Sequence, residues 1–222
     1  MIGIVQVAER RMKPSDPRSV RQMYDDTADS YSDIMDREIQ LPVYSDLLGR
    51  LKNRIAPIPG VLLDTACGTG HMLSMYRERF DAGRPLAGID LSPRMVAIAK
   101  DRLGSTPTIV VGDMRDLSTV ECESTAAVLN FFAVHHLDQD DVLLAAKEWH
   151  RVLCTGGQLV VAAWEGTGPI DYGEQSDIVA FRYTSTELAS WFEEANFLVQ
   201  RCVVEPVEGF PMDAAYLECL KN

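Results

Sequence analysis

Two acidic residues bracket a run of small residues that begins at the end of a short apolar segment. Asp64 directly precedes the run that ends at Gly70, and Asp90 follows Gly70 by twenty positions, at the end of the next apolar segment. Small residues let the backbone approach a ligand closely, because a Cβ atom would collide with it. A carboxylate at this spacing can accept hydrogen bonds from both ribose hydroxyls of a nucleoside. The pattern therefore predicts a site for an adenosine-containing cofactor, with Asp64 placed to meet a positive charge.

A nicotinamide dinucleotide is the main rival for this site. Its fingerprint is Gly-x-Gly-x-x-Gly, in which the third glycine lets the helix pack closely on the strand. Counted from Gly68, the third position is Leu73, so the fingerprint fails. An acid just before the glycines also suits the amine of an amino acid better than a pyrophosphate. The loop therefore argues against a nicotinamide-dependent oxidoreductase.

Two histidines follow the fourth apolar run of the chain. His135 and His136 are expected near the rim of the same site, where an imidazole could take a proton from an acceptor hydroxyl or amine. Such a pair can also be merely structural, and His135 is the stronger candidate of the two for a catalytic base. His71, at the start of a helix, is expected to serve packing. No His-Glu-x-x-His pattern occurs, and acids such as Asp138 and Asp140 are typical of a helix start, so no metal site is predicted.

Short apolar runs alternate with helical patterns from residue 61 onward. Almost wholly apolar strands separated by helices favour a parallel sheet that is covered on both faces. The last two runs have no helix between them and can pair antiparallel. The fold class is therefore α/β, a doubly wound, mostly parallel sheet of about seven strands with an antiparallel last strand, and its ligands lie at the carboxyl ends of the strands. The predicted strands are 61–64, 86–90, 108–112, 126–132, 158–163, 197–205 and 214–220.

The region upstream of the sheet reads as helical. Apolar and aromatic residues recur at spacings of three and four from residue 20, and a second helix is predicted over 41–51. We expect a flexible lead at 1–18 and a single domain at 19–222, with a helical cap at 19–56 and a Rossmann-like core at 57–222.

Composition excludes several classes of function. The chain has 21 Lys and Arg against 33 Asp and Glu, a formal charge of −12, which repels nucleic acid and anionic membranes. No apolar run approaches the length of a membrane span, and the N-terminus does not resemble a secretory signal. The five cysteines form no Cys-x-x-Cys and fit reduced thiols in a cytoplasmic protein.

Five stretches, in order along the chain, resemble the motifs of class I S-adenosylmethionine-dependent methyltransferases. A sixth, Tyr24 to Tyr31, resembles the N-terminal cap helix of members that act on small molecules. Two positions depart from the family: Ala66 replaces a usual glycine, and Thr155 stands where proline is common. The five stretches are Leu62-Leu-Asp-Thr-Ala-Cys-Gly-Thr-Gly70, Gly88-Ile-Asp-Leu-Ser-Pro-Arg-Met95, Gly112-Asp-Met114, Val128-Leu-Asn-Phe-Phe-Ala-Val-His-His-Leu137 and Arg151-Val-Leu-Cys-Thr-Gly-Gly157.

The resemblance implies S-adenosyl-L-methionine as the cofactor and S-adenosyl-L-homocysteine as the product. Asp90 matches the ribose-binding acid, and Asp113 matches the acid that faces the adenine amino group. Simpler roles stay open, since Asp64 could only brace the turn and Asp113 could be an ordinary solvated acid. The implied cofactor-binding residues are Tyr31, Asp64, Ala66, Cys67, Gly68, Gly70, Asp90, Leu91, Met95, Gly112, Asp113, Met114, Asn130 and Phe131.

An acceptor pocket is expected beneath the N-terminal helices and the irregular segment 164–183. Long loops at this place are commonly functional. Candidate acceptor-binding residues are Tyr24, Trp164, Tyr172 and Tyr183, although core packing also explains the aromatic spacing in the first helix. The chain has little beyond the core fold, which favours a small-molecule acceptor rather than nucleic acid or membrane. A homodimer stays open.

The predicted reaction is the in-line transfer of a methyl group to an O, N or C nucleophile of a small metabolite. The cofactor supplies the reactive group and the protein supplies orientation, so a catalytic acid or base is not obligatory. Two alternatives keep the cofactor: a non-catalytic partner subunit that binds it, and an enzyme that transfers a carboxymethyl or aminopropyl group instead.

Overall fold

One seven-stranded sheet forms the centre of the protein, with strand order β3-β2-β1-β4-β5-β7-β6. The computed structural model describes residues 13–173, 176–207, 209 and 211–222. The strands are β1 (Val61–Asp64), β2 (Leu86–Asp90), β3 (Thr108–Val111), β4 (Thr125–Phe131), β5 (Leu153–Trp164), β6 (Phe197–Pro206) and β7 (Asp213–Lys221). The helices are α1 (Pro17–Glu38), α2 (Pro42–Ile55), α3 (His71–Arg79), α4 (Pro93–Leu103), α5 (Gln139–Val152) and α6 (Ser185–Glu194), with a 3-10 turn at Val134–His136.

The pairing of the strands confirms the predicted fold class. β1 pairs parallel with β2 and β4, β2 with β3, and β4 with β5. β7 is antiparallel to both of its neighbours, β5 and β6. The strand order reverses between β1 and β4, so a crevice opens beyond their carboxyl ends, which is where doubly wound sheets bind ligands.

Apolar strands place a core on each face of the sheet. In β1, Leu62 packs into one core and its neighbour Leu63 into the other, because successive side chains point to opposite faces. The first core includes the buried faces of α2, α3 and α4. The second includes α5 and α6, with Trp149 and Phe192 among its largest side chains. Both faces are covered, which explains why the strands are apolar without alternation.

Strand β5 starts five residues earlier than the sequence predicts. The first part of β5 runs beside β4, where Leu153 pairs with Thr125, and the register shifts before Gln158. Gly156 and Gly157, which precede the predicted start, lie within the strand: a Cβ at Gly157 would approach the carbonyl oxygen of Ala126 to 3.2 Å. Strand β4 starts at Thr125, one residue early, and ends at Phe131, since the next residue has a positive φ.

Helix α1 begins two residues before the predicted cap. Asp16 caps it, since its Oδ1 accepts the backbone N–H of Arg18 at 2.9 Å. Just upstream, the backbone N–H of Ser15 donates to the carbonyl of Val179, and the backbone N–H of Val179 donates to the Ser15 hydroxyl, both at 2.8 Å. The C-terminal part of the predicted lead is thus helical or paired, and residues 1–12 lie outside the described residues.

The predicted helical cap separates into two unlike helices. Helix α2 packs on the sheet and buries Leu47, Leu48 and Leu51 in the first core. Helix α1 buries only Val20 and Ala28 and lies over the carboxyl ends of the strands. Within the described part of the chain, no helix has the length and apolarity that crossing a membrane requires.

Candidate cofactor and acceptor site

A cavity lies beyond the carboxyl ends of β1, β2 and β4, beneath α1. It is lined by side chains from α1, from the glycine loop (residues 65–70), from the ends of β2 and β4, and from the turn before α5. A smaller cavity beside it contains Asp64, Cys67 and Thr69, and shares Tyr31 and Phe131 with the main one. The topological switch point therefore carries a pocket, as the sheet order requires.

The glycine loop owes its shape to two residues with positive φ. Gly68 (φ 50°) lies under Tyr31, and a Cβ at Gly68 would lie 3.4 Å from Cε1 of that ring. Gly70 (φ 83°) faces α4, where a Cβ would lie 3.2 Å from that of Ala99. Gly68 therefore leaves room beside the cavity, whereas Gly70 lets the loop pack on a helix.

Asp90 is held at the end of β2 by two backbone donors. Its Oδ2 accepts the N–H of Gly68 at 2.8 Å, and its Oδ1 accepts the N–H of Ser92 at 2.9 Å. Burial raises the pKa of Asp90, although these hydrogen bonds oppose the shift. Each oxygen keeps a further lone pair, so the carboxylate can still accept hydrogen bonds from a ligand on the cavity side.

Asp64 is a buried carboxylate that few hydrogen-bond donors stabilise. It is 2% exposed, and among the described residues it accepts one hydrogen bond, from the N–H of Ala66 at 3.2 Å. Burial raises its pKa to about 7, and the nearby charge of Asp90 adds to the shift. A cation bound next to Asp64 would restore its ionised form, because an opposite charge lowers the pKa of a carboxyl group.

The rim near β3 carries an acid that is already paired. Arg115 binds Asp113 through Nη2 at 2.6 Å from Oδ2 and also binds Asp141 at 2.6 Å. Burial opposes ionisation of Asp113, but the hydrogen bonds from Arg115 prevail and its pKa is lowered. Gly112 serves strand packing, since a Cβ there would lie 2.8 Å from Cγ2 of Ile89.

The opposite end of the cavity contains an aromatic and imidazole cluster. Tyr24 Oη and His136 Nε2 share a hydrogen bond of 2.9 Å, and the Tyr172 ring stacks on His136 with centroids 6.4 Å apart. Burial lowers the pKa of His136 to about 4. The imidazole is therefore neutral near pH 7, and it is a weak base in this environment.

Three buried polar atoms near the site have no hydrogen-bond partner among the described residues. They are Nδ1 of His135, Nδ1 of His136 and Oδ1 of Asn130. The Asn130 amide donates to Thr65 Oγ1 at 3.1 Å and to the sulfur of Met114. Unsatisfied buried acceptors are costly, so they commonly mark a place where a ligand or water completes the bonding.

The aromatic residues predicted in the loop after β5 support the cavity from behind. Trp164 packs on Phe132 with ring centroids 4.6 Å apart. The Tyr183 hydroxyl donates to the carbonyl of Leu137, and its ring contacts Trp191. These two side chains hold residues that line the cavity and do not line it themselves.

The structure brings most of the predicted site residues together. His135 is buried behind the cavity, where its carbonyl accepts the N–H of Phe181 at 2.9 Å. Asp64 and Cys67 line the smaller cavity, while Gly70, Gly112, Asn130, His135, Trp164, Tyr172 and Tyr183 line neither. The predicted residues that line the main cavity are Tyr24, Tyr31, Ala66, Gly68, Asp90, Leu91, Met95, Asp113, Met114, Phe131 and His136.

Sequence reasoning missed Thr65, Arg115, Phe132 and Leu137 as lining residues. Phe132 has a positive φ of 50°, which bulky residues rarely adopt, and turns away from the strand into the cavity. The motif that contains Phe132 placed it near the site, but did not predict that its side chain faces the cavity. Arg115 could have been suspected from its position two residues after Asp113, where a long cation can reach back to the acid.

Comparison with known proteins finds similarity to methyltransferases. Residues 63–161 match the family model described as a methyltransferase domain. A dTDP-4-amino-2,3,4,6-tetradeoxy-D-glucose N,N-dimethyltransferase of Saccharopolyspora spinosa is 35% identical over 103 residues, which cover 46% of this chain and 40% of that protein. An uncharacterized methyltransferase of Bacillus thuringiensis is 30% identical over 63% of this chain and 65% of its own length. The chain thus spans less than two thirds of these curated relatives.

A solved structure shows the same fold over nearly the whole chain. The 1,6-didemethyltoxoflavin-N1-methyltransferase of Burkholderia thailandensis, with bound 1,6-didemethyltoxoflavin and S-adenosylhomocysteine, superposes with a TM-score of 0.74 at 19% identity. The match covers 94% of each chain. The resemblance to methyltransferases that the sequence motifs carry is thus confirmed.

Proposed function

We propose that this member of the class I S-adenosylmethionine-dependent methyltransferase family transfers a methyl group to an O, N or C nucleophile of a small molecule, leaving S-adenosyl-L-homocysteine. One observation carries the proposal: two carboxylates, the buried Asp64 and the partly buried Asp90, end neighbouring strands, and Asp90 accepts a hydrogen bond from the loop at Gly68. Both carboxyl groups have raised pKa values, so a ligand that brings a positive charge and hydrogen-bond donors would stabilise their ionised forms.

The residues present fit this cofactor. Asp90 would hold the ribose hydroxyls, because each of its oxygens is fixed by one backbone donor and can accept another bond. Asp64 would hold the ammonium group of the amino-acid tail. Leu91, Met95 and Met114, which line the cavity, would contact the adenine. When bound, S-adenosylmethionine supplies a methyl group on a positively charged sulfur that is displaced in line.

The acceptor would bind at the end of the cavity formed by Tyr24, His136, Phe132 and Leu137. A buried imidazole with a pKa of about 4 is a poor proton acceptor at pH 7, so we assign His136 the role of orienting the acceptor through a hydrogen bond. Tyr24, which is hydrogen-bonded to the same imidazole, would also contact the acceptor. Alignment of two reactants can lower a barrier by about 7–11 kcal/mol, which suffices for an acceptor that is already nucleophilic.

The chemistry of the pocket favours an amine or hydroxyl on a small, largely uncharged acceptor. Of the two cations that line the cavity within the described residues, Arg115 and Lys13, Arg115 is paired with Asp113 and Asp141 and so is less available to an anionic group. The Saccharopolyspora relative is named as an N,N-dimethyltransferase, which agrees with an amine. The acidic chain disfavours nucleic acid, and the cysteines suit the cytoplasm.

The alternatives have less support. Leu73 is fully buried in the core, where a nicotinamide fingerprint would need glycine. A non-catalytic partner subunit would need no acceptor pocket, whereas the cavity continues past Gly68 to His136.

Calorimetric titration tests the proposal. S-adenosylhomocysteine should bind the full chain, and NADH under the same conditions should give no binding heat. Asp90→Ala should weaken the binding of S-adenosylhomocysteine at least about tenfold, because two ribose hydroxyls lose their acceptor. Asp116→Ala, which removes a surface acid after β3, is the matched control and should leave the affinity unchanged. Equal affinities of the parent and Asp90→Ala would refute the assignment.

A further inference from the structure

Two side chains each join helix α1 to the glycine loop. The His71 ring lies 2.7 Å from Asp36 Oδ1 through Nε2 and 2.8 Å from Thr69 Oγ1 through Nδ1. Arg102 donates from Nη2 to the same Asp36 oxygen and from Nε to the Thr69 carbonyl, both at 3.0 Å. Asp36, His71, Thr69 and Arg102 thus form a closed ring of hydrogen bonds, which we call the α1 latch.

A neutral imidazole satisfies both contacts of His71. With its proton on Nε2, the ring donates to the Asp36 carboxylate and accepts the Thr69 hydroxyl proton at Nδ1. Burial lowers the pKa of His71, although the bond to Asp36 opposes the shift. The His71 side chain is 5% exposed, whereas that of Asp36 is 54% exposed, so the pair joins a buried ring to a carboxylate at the surface.

The α1 latch sits where the loop and the helix both reach the cavity. Thr69 lies between Gly68 and Gly70, the two loop residues with positive φ. Asp36 lies five residues after Tyr31, whose ring covers Gly68. A shift of the loop is therefore transmitted to the helix that covers it.

Helix α1 has few other means of attachment. It buries only two residues, Val20 and Ala28, over its 22. Its other polar contacts include those with α4, where Asp25 accepts from Ser92 and the exposed Asp29 pairs with Arg94. Tyr24 adds a hydrogen bond to His136. With so little apolar contact, the position of α1 depends on polar contacts, which are individually weak.

We propose that His71 is a positioning residue that couples the glycine loop to α1, so that filling the cofactor site fixes the helix over it. The inference rests on the proposed function, because it assigns the loop to the cofactor. It also links the two ends of the cavity, since α1 brings Tyr24 to His136 at the acceptor end.

Hydrogen exchange of the α1 amides, measured with and without saturating S-adenosylhomocysteine, tests the coupling. In the parent protein the ligand should slow exchange over residues 17–38. Asp36→Ala should still bind the ligand but lose about tenfold of that protection, the worth of about one hydrogen bond. Asp29→Ala removes a carboxylate from the same helix outside the α1 latch, and it should keep the protection.

Two substitutions of His71 separate its contacts. The amide of His71→Gln reaches the position of Nε2 and can keep the bond to Asp36, whereas that of His71→Asn reaches only the position of Nδ1. We expect protection of α1 in the first and its loss in the second. Parent-like protection in both Asp36→Ala and His71→Asn would overturn the coupling alone. Failure of the parent to bind S-adenosylhomocysteine by calorimetry would overturn the proposed function and the coupling with it.

Discussion

Helices α1 and α2 follow one another along the chain, yet different forces hold them. Helix α2 buries five residues of its 14, whereas α1 buries two of its 22. Acidic side chains anchor α1 instead: Asp25 accepts from Ser92 Oγ at 2.6 Å, and Asp29 and Asp36 pair with arginines of α4. An apolar helix of this kind is part of the core, and a polar one can serve as a cover for a site. The difference explains why one predicted cap contains two separate structures.

The largest expected effect concerns the core helix. Leu48→Ala should lower the free energy of unfolding by about 2–5 kcal/mol, because the side chain is fully buried and leaves a cavity. Denaturant unfolding measures the loss. Ile34→Ala, on the exposed side of α1, should change stability by less than about 0.5 kcal/mol. Similar losses for the two variants would mean that α1 and α2 are held alike.

The pH dependence of stability should reveal the neutral imidazole that α1 contacts. The folded pKa of His136 is about 4, below its ordinary value of 6.5, so between these values the unfolded state binds the proton and the folded state does not. The free energy of unfolding should therefore fall as the pH drops from about 6.5 to 4, by about 3 kcal/mol at most for this group.

The comparison that isolates His136 is between the parent and His136→Asn. Other buried groups also titrate, and Asp64, with its raised pKa, acts in the opposite direction. The difference in the free energy of unfolding between the parent and His136→Asn should become smaller toward low pH, because only the parent loses the contribution of the neutral imidazole there. Parallel profiles from pH 4 to 8 would contradict the buried neutral state.

A smaller effect is expected where α1 meets the acceptor end. Tyr24→Phe should cost about 1–3 kcal/mol of stability, because Nε2 of the buried His136 loses its partner. The cost should also appear as faster hydrogen exchange in the first half of α1. Tyr31→Phe keeps the ring over Gly68 and is the matched control. A Tyr24→Phe protein as stable as Tyr31→Phe would show that the contact contributes little.

The smallest effect should come from the surface pair of α1. Arg94 and Asp29 lie 2.7 Å apart with side chains 50% and 74% exposed. Arg94→Ala should cost under about 1 kcal/mol, and the difference from the parent should shrink in high salt. Thermal unfolding at low and high ionic strength measures it. A loss above about 2 kcal/mol that persists in salt would make this pair a main anchor of α1.

Local patterns predicted much of the fold and the cofactor half of the site. The apolar runs gave the strands, and the spacing between Gly70 and Asp90 placed both at one edge of the sheet. The start of β5 was missed because a pair of glycines such as Gly156 and Gly157 is typical of a turn, whereas here they lie within the strand beside β4. Glycine marks a special backbone geometry without saying which.

The contacts that α1 and Phe132 make at the site were harder to predict, because they depend on distant parts of the chain or on an unusual backbone geometry. His71 was expected only to pack, but its ring binds Asp36, which is 35 residues away. Phe132 reaches the cavity through a positive φ that no local pattern signals. Helical periodicity predicted both N-terminal helices as one cap over the pocket, but not that α2 packs on the sheet while α1 alone lies over the ends of the strands.

A crystal structure of the full chain with S-adenosylhomocysteine tests the central claim most directly. The account predicts the ribose on the Asp90 carboxylate, the amino-acid tail beside Asp64 and the sulfur beneath α1, facing His136. A cavity that stays empty at saturating ligand, or a ligand bound away from these two carboxylates, would contradict it.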